Sequence, residues 1–171
     1  MVGIYVIIAI LIISVFVVYI PYYRGKKKNN KTTATNSNAN ASVGSKELQL
    51  QAYERLILLT DRIALPNLVN RLNEPNLTAK EMQLLLNQNI RQEFDYNITQ
   101  QIYVSAEAWN ALKNLKEQNL LIINQMANVL PADASGYQLL KLIMEFLMND
   151  KRATLHEVVS NVLSFEAKKI M

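Results

Sequence analysis

An uncharged run near the N-terminus is the feature that most restricts what this chain can form. Residues 2–20 are nineteen side chains of which none is charged. In an α-helix this run rises about 28 Å, close to the roughly 30 Å hydrocarbon core of a bilayer. A cleaved signal peptide is the main alternative, but no Lys or Arg precedes the run and no Ala-x-Ala pattern follows it. We therefore predict an uncleaved transmembrane anchor in residues 1–23.

Basic residues flank the run only on its C-terminal side. By the positive-inside rule, this asymmetry predicts a single-pass protein of the inner (cytoplasmic) membrane, with its N-terminus outside and its C-terminal domain in the cytoplasm. Cations next to a bilayer bind anionic headgroups with about 1 kcal/mol each. The residues expected to contact the membrane surface in this way are Arg24, Lys26, Lys27, Lys28 and Lys31.

The charge of the chain is divided unevenly along its length. The whole chain has a formal net charge of +4 at pH 7, but from residue 46 onward it has 13 basic and 14 acidic residues. A nucleic-acid module would carry a basic face on its folded part, so we expect no nucleic-acid partner. The absence of Cys excludes disulfides, thiolate catalysis and Cys-ligated metals, and it fits a reducing cytoplasm.

Two further regions follow the anchor. Residues 24–45 are small, polar and basic, with Val43 the only large apolar side chain, and such a segment is predicted to be a flexible linker. Its random-coil reach is about 25 Å. From residue 46 the apolar spacing is helical, without an alternating strand pattern of useful length. The predicted fold is therefore all-α: one transmembrane helix, a flexible linker, and a cytosolic bundle of about five to six helices in residues 46–171.

Local signals place the boundaries of these helices. Pro66 suits the first turn of a helix, Ser105 suits an N-cap, and Thr78 with Glu81 forms a capping-box pattern. Thr154 with Glu157 repeats that pattern. The predicted helices are 46–64, 66–73, 79–103, 106–130, a segment around 139–148, and a last helix that runs to about residue 168.

Two of these helices carry a further expectation about packing. In the 79–103 helix, Ile98 and Ile102 are expected to continue the inward apolar face. The 139–148 helix is apolar nearly all round, with a narrow polar row that includes Gln138 and Glu145. Such a helix is either central in the bundle or partly covered by a partner.

A polar group within the 79–103 helix is the candidate interaction site. Asn89, Asn97 and Gln101 fall near its apolar face. Buried amides must be hydrogen-bonded, so one interpretation is a satisfied internal network. The other is a polar groove for a partner segment, or a seam for self-association. The candidate partner residues are Asn89, Asn97, Gln101, Tyr103 and Trp109.

No catalytic, metal or cofactor pattern is visible. His156 is the only histidine, and neither further ligands nor a partner base can be assembled around it, so we expect a structural or exposed role. The scattered glycines exclude a phosphate-binding loop. We predict no catalytic residue, no cofactor and no small-molecule substrate. An enzyme would need a pocket that gathers ionisable groups from different helices, such as Arg55, Asp61, Arg62, Arg91 and Glu93.

Four segments carry a resemblance to a known family: residues 53–59, 61–64, 67–72 and 100–109. They resemble an uncharacterised bacterial family of Bacteroidetes type, over roughly residues 50–130. The resemblance implies one N-terminal membrane helix and a short helical cytosolic domain. That family carries no assigned activity, so the resemblance implies no catalytic or binding residues.

The expected function follows from this architecture. The chain is expected to be a membrane-tethered helical interaction or scaffold module that recruits or spaces proteins, or that self-assembles, without catalysis. Its expected partners are the lipid bilayer and either another protein or a second copy of itself. The alternatives are an accessory subunit of a larger membrane complex and a small membrane-bound enzyme.

Overall fold

The described part of the chain is helical. The computed structural model describes residues 37–74, 76–149 and 154–171. Within these ranges there are six α-helices and one 3-10 helix, and no β-strand. The all-α prediction is thus confirmed for these residues. The α-helices are α1 (Ser37–Ile63), α2 (Leu65–Arg71), α3 (Ala79–Tyr96), α4 (Ala106–Asn128), α5 (Gly136–Asn149) and α6 (Leu155–Ile170), and the 3-10 helix is Ile98–Ile102, between α3 and α4.

The predicted anchor stays a prediction. Residues 1–23, together with the five cations from Arg24 to Lys31, lie outside the described ranges. Inside those ranges, no helix has the length and apolar character needed to cross a bilayer. The linker prediction is wrong at its C-terminal end, because α1 already begins at Ser37. Helix propagation from a nucleated segment costs little per residue, so the packed part of α1 can extend into this polar sequence.

The core is built from the apolar stripes of all six helices. On α1, Ala52, Leu56, Leu59 and Ile63 are buried at helical spacing, whereas Leu48 is half-exposed. Each fully buried Leu, Ile or Met contributes about 1.5 to 3 kcal/mol relative to an exposed one. The largest fully buried side chains are Leu56, Leu59, Ile63, Leu68, Met82, Leu86, Ile90, Leu112, Leu115, Ile122, Ile123 and Leu139.

Helix α5 has a central position in this core. It contacts α2, α3 and α4. Leu139, Ile143 and Leu147 on its inner face are buried, whereas Tyr137 and Met148 are largely exposed. The central placement explains most of its apolar surface, and the exposed remainder borders a groove that is described below.

Helix α3 ends at Tyr96, so the prediction of one helix over 79–103 is wrong. The side-chain amide of Asn97 donates to the Glu93 carbonyl (2.9 Å), while the Asn97 backbone N–H donates to the Phe94 carbonyl (3.0 Å). The side-chain amide of Asn97 therefore bonds to the Glu93 carbonyl, which in a continuing α-helix would accept from the Asn97 backbone N–H. The chain forms a 3-10 turn from this point. As a result, Ile98 and Ile102 are exposed rather than inward.

The predicted caps are confirmed at α3 and α4, whereas at α6 the helix begins after Thr154 as predicted but the capping box does not form. Thr78 and Glu81 form the reciprocal capping box, and Ser105 Oγ accepts from the backbone N–H of Ala108 (3.0 Å). Thr154 has φ −93° and ψ 4°, close to helical rather than extended, and its side chain makes no capping hydrogen bond to α6. A capping residue needs an extended backbone to turn its oxygen toward the first free N–H groups.

A further capping box opens α5. The backbone N–H of Ser135 donates to Gln138 Oε1 (2.8 Å), and the backbone N–H of Gln138 donates to Ser135 Oγ (3.3 Å). The Ser-x-x-Gln spacing is visible in the sequence, but Gln138 was interpreted only as part of a polar row.

The start of α5 is bonded to the start of α3. Thr78 and Ser135 form an antiparallel β-bridge, in which the Ala79 N–H donates to the Ala134 carbonyl (2.8 Å) and the Gly136 N–H donates to the Leu77 carbonyl (2.6 Å). A Cβ on Gly136 would lie 2.9 Å from that carbonyl oxygen and 3.1 Å from Met82 Cβ. This close approach therefore requires glycine.

A partly buried polar cluster joins three helices. The Tyr53 hydroxyl of α1 donates to Glu166 Oε2 of α6 (2.6 Å), and Ser105 Oγ at the start of α4 donates to the same oxygen (2.7 Å). The Ser105 backbone N–H donates to the Tyr53 hydroxyl (3.2 Å). Burial, followed by the hydrogen bond to the Glu166 carboxylate, raises the pKa of Tyr53. We name these three side chains the Tyr53 cluster.

A buried amide satisfies the C-terminal end of α1. Asn119 of α4 is buried, and its side-chain N–H donates to the Ile63 carbonyl (2.7 Å). The last carbonyls of a helix have no partner within the helix, so this bond removes a desolvation cost of about 1 to 3 kcal/mol.

Gly136→Ala is expected to destabilise the protein, because the new methyl group would press on the Leu77 carbonyl. Overpacking of this kind costs about 1 to 3 kcal/mol of the free energy of unfolding. Thermal unfolding of the full chain, followed by circular dichroism, measures the loss. The control is Gly44→Ala, where nothing lies within 4 Å of the added Cβ. We expect this control to keep its stability or to gain up to about 1 kcal/mol in the free energy of unfolding, because Ala favours the helix more than Gly does. Equal melting temperatures for the two variants would contradict the bridge.

Tyr53 is expected to add an alkaline component to unfolding. Because folding raises the pKa of the Tyr53 phenol above its ordinary value of about 10, the folded state keeps the phenol proton at a pH where the unfolded state has lost it. The contribution to stability is complete below that value and is lost as the pH rises through the folded pKa. Denaturant titrations across alkaline pH should show a steeper fall of unfolding free energy for the native protein than for Tyr53→Phe. If the unfolding free energy falls equally with pH in the native protein and in Tyr53→Phe, the Tyr53 cluster does not favour the neutral phenol.

Candidate functional site

A groove between α1 and α3 combines charged, aromatic and apolar side chains. We call it the α1–α3 groove, and its volume is about 500 Å³. Arg55 faces Tyr96, whereas Arg62 pairs with Glu93, so the two helices run in opposite directions along it. Its lining consists of Arg55, Leu58, Leu59 and Arg62 from α1, Asn89, Gln92, Glu93 and Tyr96 from α3, and Asn97.

Helical spacing explains why these side chains share the groove. On α1, Arg55, Leu58 and Arg62 follow one another at intervals of three and four residues. On α3, the interval from Asn89 to Glu93 is four residues, and the interval from Glu93 to Tyr96 is three. Residues three or four apart lie on the same side of a helix, so each helix contributes one continuous row.

An ion pair crosses the middle of the groove. Arg62 Nη2 lies 2.5 Å from Glu93 Oε1. The hydrogen bond to Glu93, followed by the attraction of its charge, raises the pKa of Arg62. The Arg62 side chain is 54% exposed, and a solvent-exposed pair of this kind contributes about 1 kcal/mol or less. Its main effect on the groove is therefore electrostatic: Glu93 neutralises Arg62.

Arg55 stacks on an exposed aromatic ring. Its guanidinium carbon lies 5.5 Å from the centroid of the Tyr96 ring, which is within cation–π range. Tyr96 is 75% exposed and Leu58 is 64% exposed. In residues 37–74, 76–149 and 154–171, no carboxylate forms an ion pair with Arg55. Its hydrogen-bond donors are thus not taken by an acidic side chain of this part of the chain.

A third arginine lies beside the groove and bonds to two of its lining residues. Arg71 of α2 donates to Asn89 Oδ1 (2.6 Å) and to the Arg62 backbone carbonyl (3.3 Å). Both acceptors are neutral, so the positive charge of Arg71 is not cancelled by these contacts. The hydrogen bond to Oδ1 also fixes the orientation of the Asn89 side chain.

The five candidate partner residues do not form one seam. Asn89 and Asn97 line the groove, although Asn97 is buried and bonded to its own helix. Gln101 is exposed and Tyr103 is half-buried, beyond the end of α3. Trp109 packs on Phe94 with a ring-centroid distance of 5.0 Å. The early end of α3 separates Gln101 and Tyr103 from the helix face that carries Asn89.

The most exposed groove residues were not selected from the sequence as partner residues. The helical spacing of Arg55 and Leu58 indicates that they share one side of α1. Only the tertiary structure shows that this side faces Tyr96. Of the groups that an enzyme would need, Arg55, Arg62 and Glu93 do meet here. Asp61 lines a different groove, and Arg91 is exposed on α3 outside this one.

Two other grooves have a different character. The α1–α6 groove, about 620 Å³, includes Asp61, His156 and Glu157. Among the described residues, no three His, Asp or Glu side chains lie close enough to hold a metal ion. The α2–α5 groove, about 320 Å³, is mostly apolar and includes Tyr137, Met144 and Met148. Neither has an arginine in its lining.

Comparison with known proteins gives a family and no function. Neither the curated proteins nor the solved structures yielded a match to the chain. A family model matches residues 2–170, which is nearly the whole chain. The match agrees with the resemblance to an uncharacterised family and carries no information on bacterial lineage. The chain belongs to DUF7935, a family of unknown function.

Proposed function

We propose that this protein is a non-catalytic interaction module, tethered to the inner membrane, that docks a partner protein in the α1–α3 groove. The tether is the anchor predicted in residues 1–23, with the polar segment that follows it. The docking part is the helical unit that the chain forms from Ala41 onward.

One observation supports docking most strongly: Arg55, Leu58 and Tyr96 are exposed side by side in one groove. Tyr and Arg are enriched among the residues that contribute most to protein interfaces. Leu58 at 64% exposure and Tyr96 at 75% present apolar surface that a partner would remove from water. Catalysis has less support, since Glu93 is held by Arg62 and His156 lines another groove.

Tethering would strengthen such an interaction without any new contact. A module held at the membrane meets other membrane-bound proteins at an effective concentration set by the length of its tether. Moderate affinity in the groove is then sufficient for recruitment or spacing. The proposal therefore requires both parts of the chain.

A second candidate function is an accessory subunit of a larger membrane complex. The α2–α5 groove favours it, because Tyr137 is 61% exposed and Met148 is 82% exposed there. Methionine-lined surfaces adapt readily to a partner. A subunit of a stable complex would use this surface in addition to the α1–α3 groove.

Site-specific photo-crosslinking tests the docking function. A photoreactive amino acid in place of Leu58 should give a protein adduct of defined mass in membranes of cells that make the full chain. The matched control is the same replacement at Leu84 of α3, which is 66% exposed and lies outside the groove. We expect no such adduct there. Identical adducts from both positions, or none from position 58, would contradict docking in the groove.

Native electrophoresis of membranes extracted in mild detergent, without crosslinking, separates the two functions. A recruiting module should release its partner on extraction and migrate as a small species. An accessory subunit should remain in a large complex. Replacing Met148 with a charged residue should dissociate that complex only in the second case.

A further inference from the structure

We propose that the occupant of the α1–α3 groove is an acidic amphipathic helix of the partner protein. One carboxylate of this helix pairs with Arg55, and an apolar side chain about one turn away packs on Leu58. The inference rests on the proposed function, since it names the partner chemistry of the same groove.

The charges around the groove favour carboxylates. Glu93 already neutralises Arg62. Arg55 and Arg71 lie on either side of that pair, and in the described ranges neither forms an ion pair with a carboxylate. The groove therefore has excess positive charge. Each guanidinium offers a planar fork of donors that matches a carboxylate.

The apolar part of the lining favours a protein segment over a lipid headgroup or a free phosphate. Leu58 lies between Arg55 and Arg62 on the same face of α1, about one turn from each. The exposed ring of Tyr96 extends this apolar surface across the groove. A phosphate group would use the arginines and leave the apolar surface in water. A peptide with acidic and apolar side chains would use both.

Helix geometry gives the spacing of the partner residues. Arg55 and Leu58 are three residues apart on α1, which corresponds to about 4.5 Å along the axis. A second helix laid along α1 has the same repeat, so an acidic residue and an apolar residue three positions apart face Arg55 and Leu58 in register. Helices that dock in grooves present their anchors at such intervals. The groove volume of about 500 Å³ suits the side chains of one helix face.

The test uses the full chain in nanodiscs of zwitterionic phosphatidylcholine. The probe is a labelled helical peptide with a glutamate and a leucine three positions apart. Its control peptide has glutamine in place of that glutamate. We expect the glutamate peptide to bind roughly tenfold more tightly or better, as measured by fluorescence anisotropy.

Variants of the protein assign the effect to the groove. Arg55→Gln should weaken binding of the glutamate peptide roughly tenfold and leave the glutamine peptide unchanged. Arg91→Gln makes the same charge change on α3 outside the groove, so it should leave both affinities unchanged. Leu58→Ala should weaken both peptides, whereas Leu84→Ala should weaken neither. Circular dichroism of each variant shows whether the fold is retained.

Several results would overturn the inference. Equal affinities for the two peptides, no binding of either, or equal losses from Arg55→Gln and Arg91→Gln would each contradict an acidic helix in the groove. Arg55-dependent binding of vesicles that contain phosphatidylglycerol, without binding of the glutamate peptide, would identify a headgroup site instead. If crosslinks from position 58 persist in these cases, the docking function stands and only the partner chemistry fails. If those crosslinks are also absent, both proposals fail.

Discussion

The hydrogen bonding of buried helix ends is the constraint on which this fold depends. Six helices in a small unit bring their ends into the interior, where each free N–H and C=O needs a partner. The end of α1 is satisfied by Asn119, and the starts of α3 and α5 are satisfied by the bridge between Thr78 and Ser135. The start of α4 is bonded to Tyr53 and Glu166. Each of these hydrogen bonds links one helix to another. Bonding the free N–H and C=O groups at the helix ends therefore also determines how the helices are arranged.

The same bonds hold the α1–α3 groove in shape. Tyr53 holds α1 just before Arg55, and Asn119 holds it just after Arg62. The bridge holds α3 at its start, and Asn97 ends it next to Tyr96. The groove residues are thus carried on helix segments that are fixed at both ends. A site that needs little ordering on binding loses less entropy, which favours recognition by a modest number of contacts.

Local features were predictable from the sequence, and long-range ones were not. The capping box at Thr78 depends on residues within one turn, and that prediction is confirmed. The Thr154 pattern did not form a cap, because the backbone there is close to helical. The end of α3 depended on a single side-chain bond from Asn97, which spacing does not reveal. The contact between Arg55 and Tyr96 is a tertiary one. The sequence could therefore predict which residues share one side of α1, but not which residue of α3 they face.

A charge exchange at Arg55 tests the central claim, that this groove recognises acidic side chains of a partner, most directly. The measurement compares binding of the glutamate peptide with binding of a peptide that has a lysine in place of the glutamate, for the full chain with Arg55→Glu. The account predicts that the variant loses the glutamate peptide and gains affinity for the lysine peptide, because the sign of the interaction is reversed at one position. Unchanged affinity for the glutamate peptide, or loss of that peptide without any gain for the lysine peptide, would contradict it.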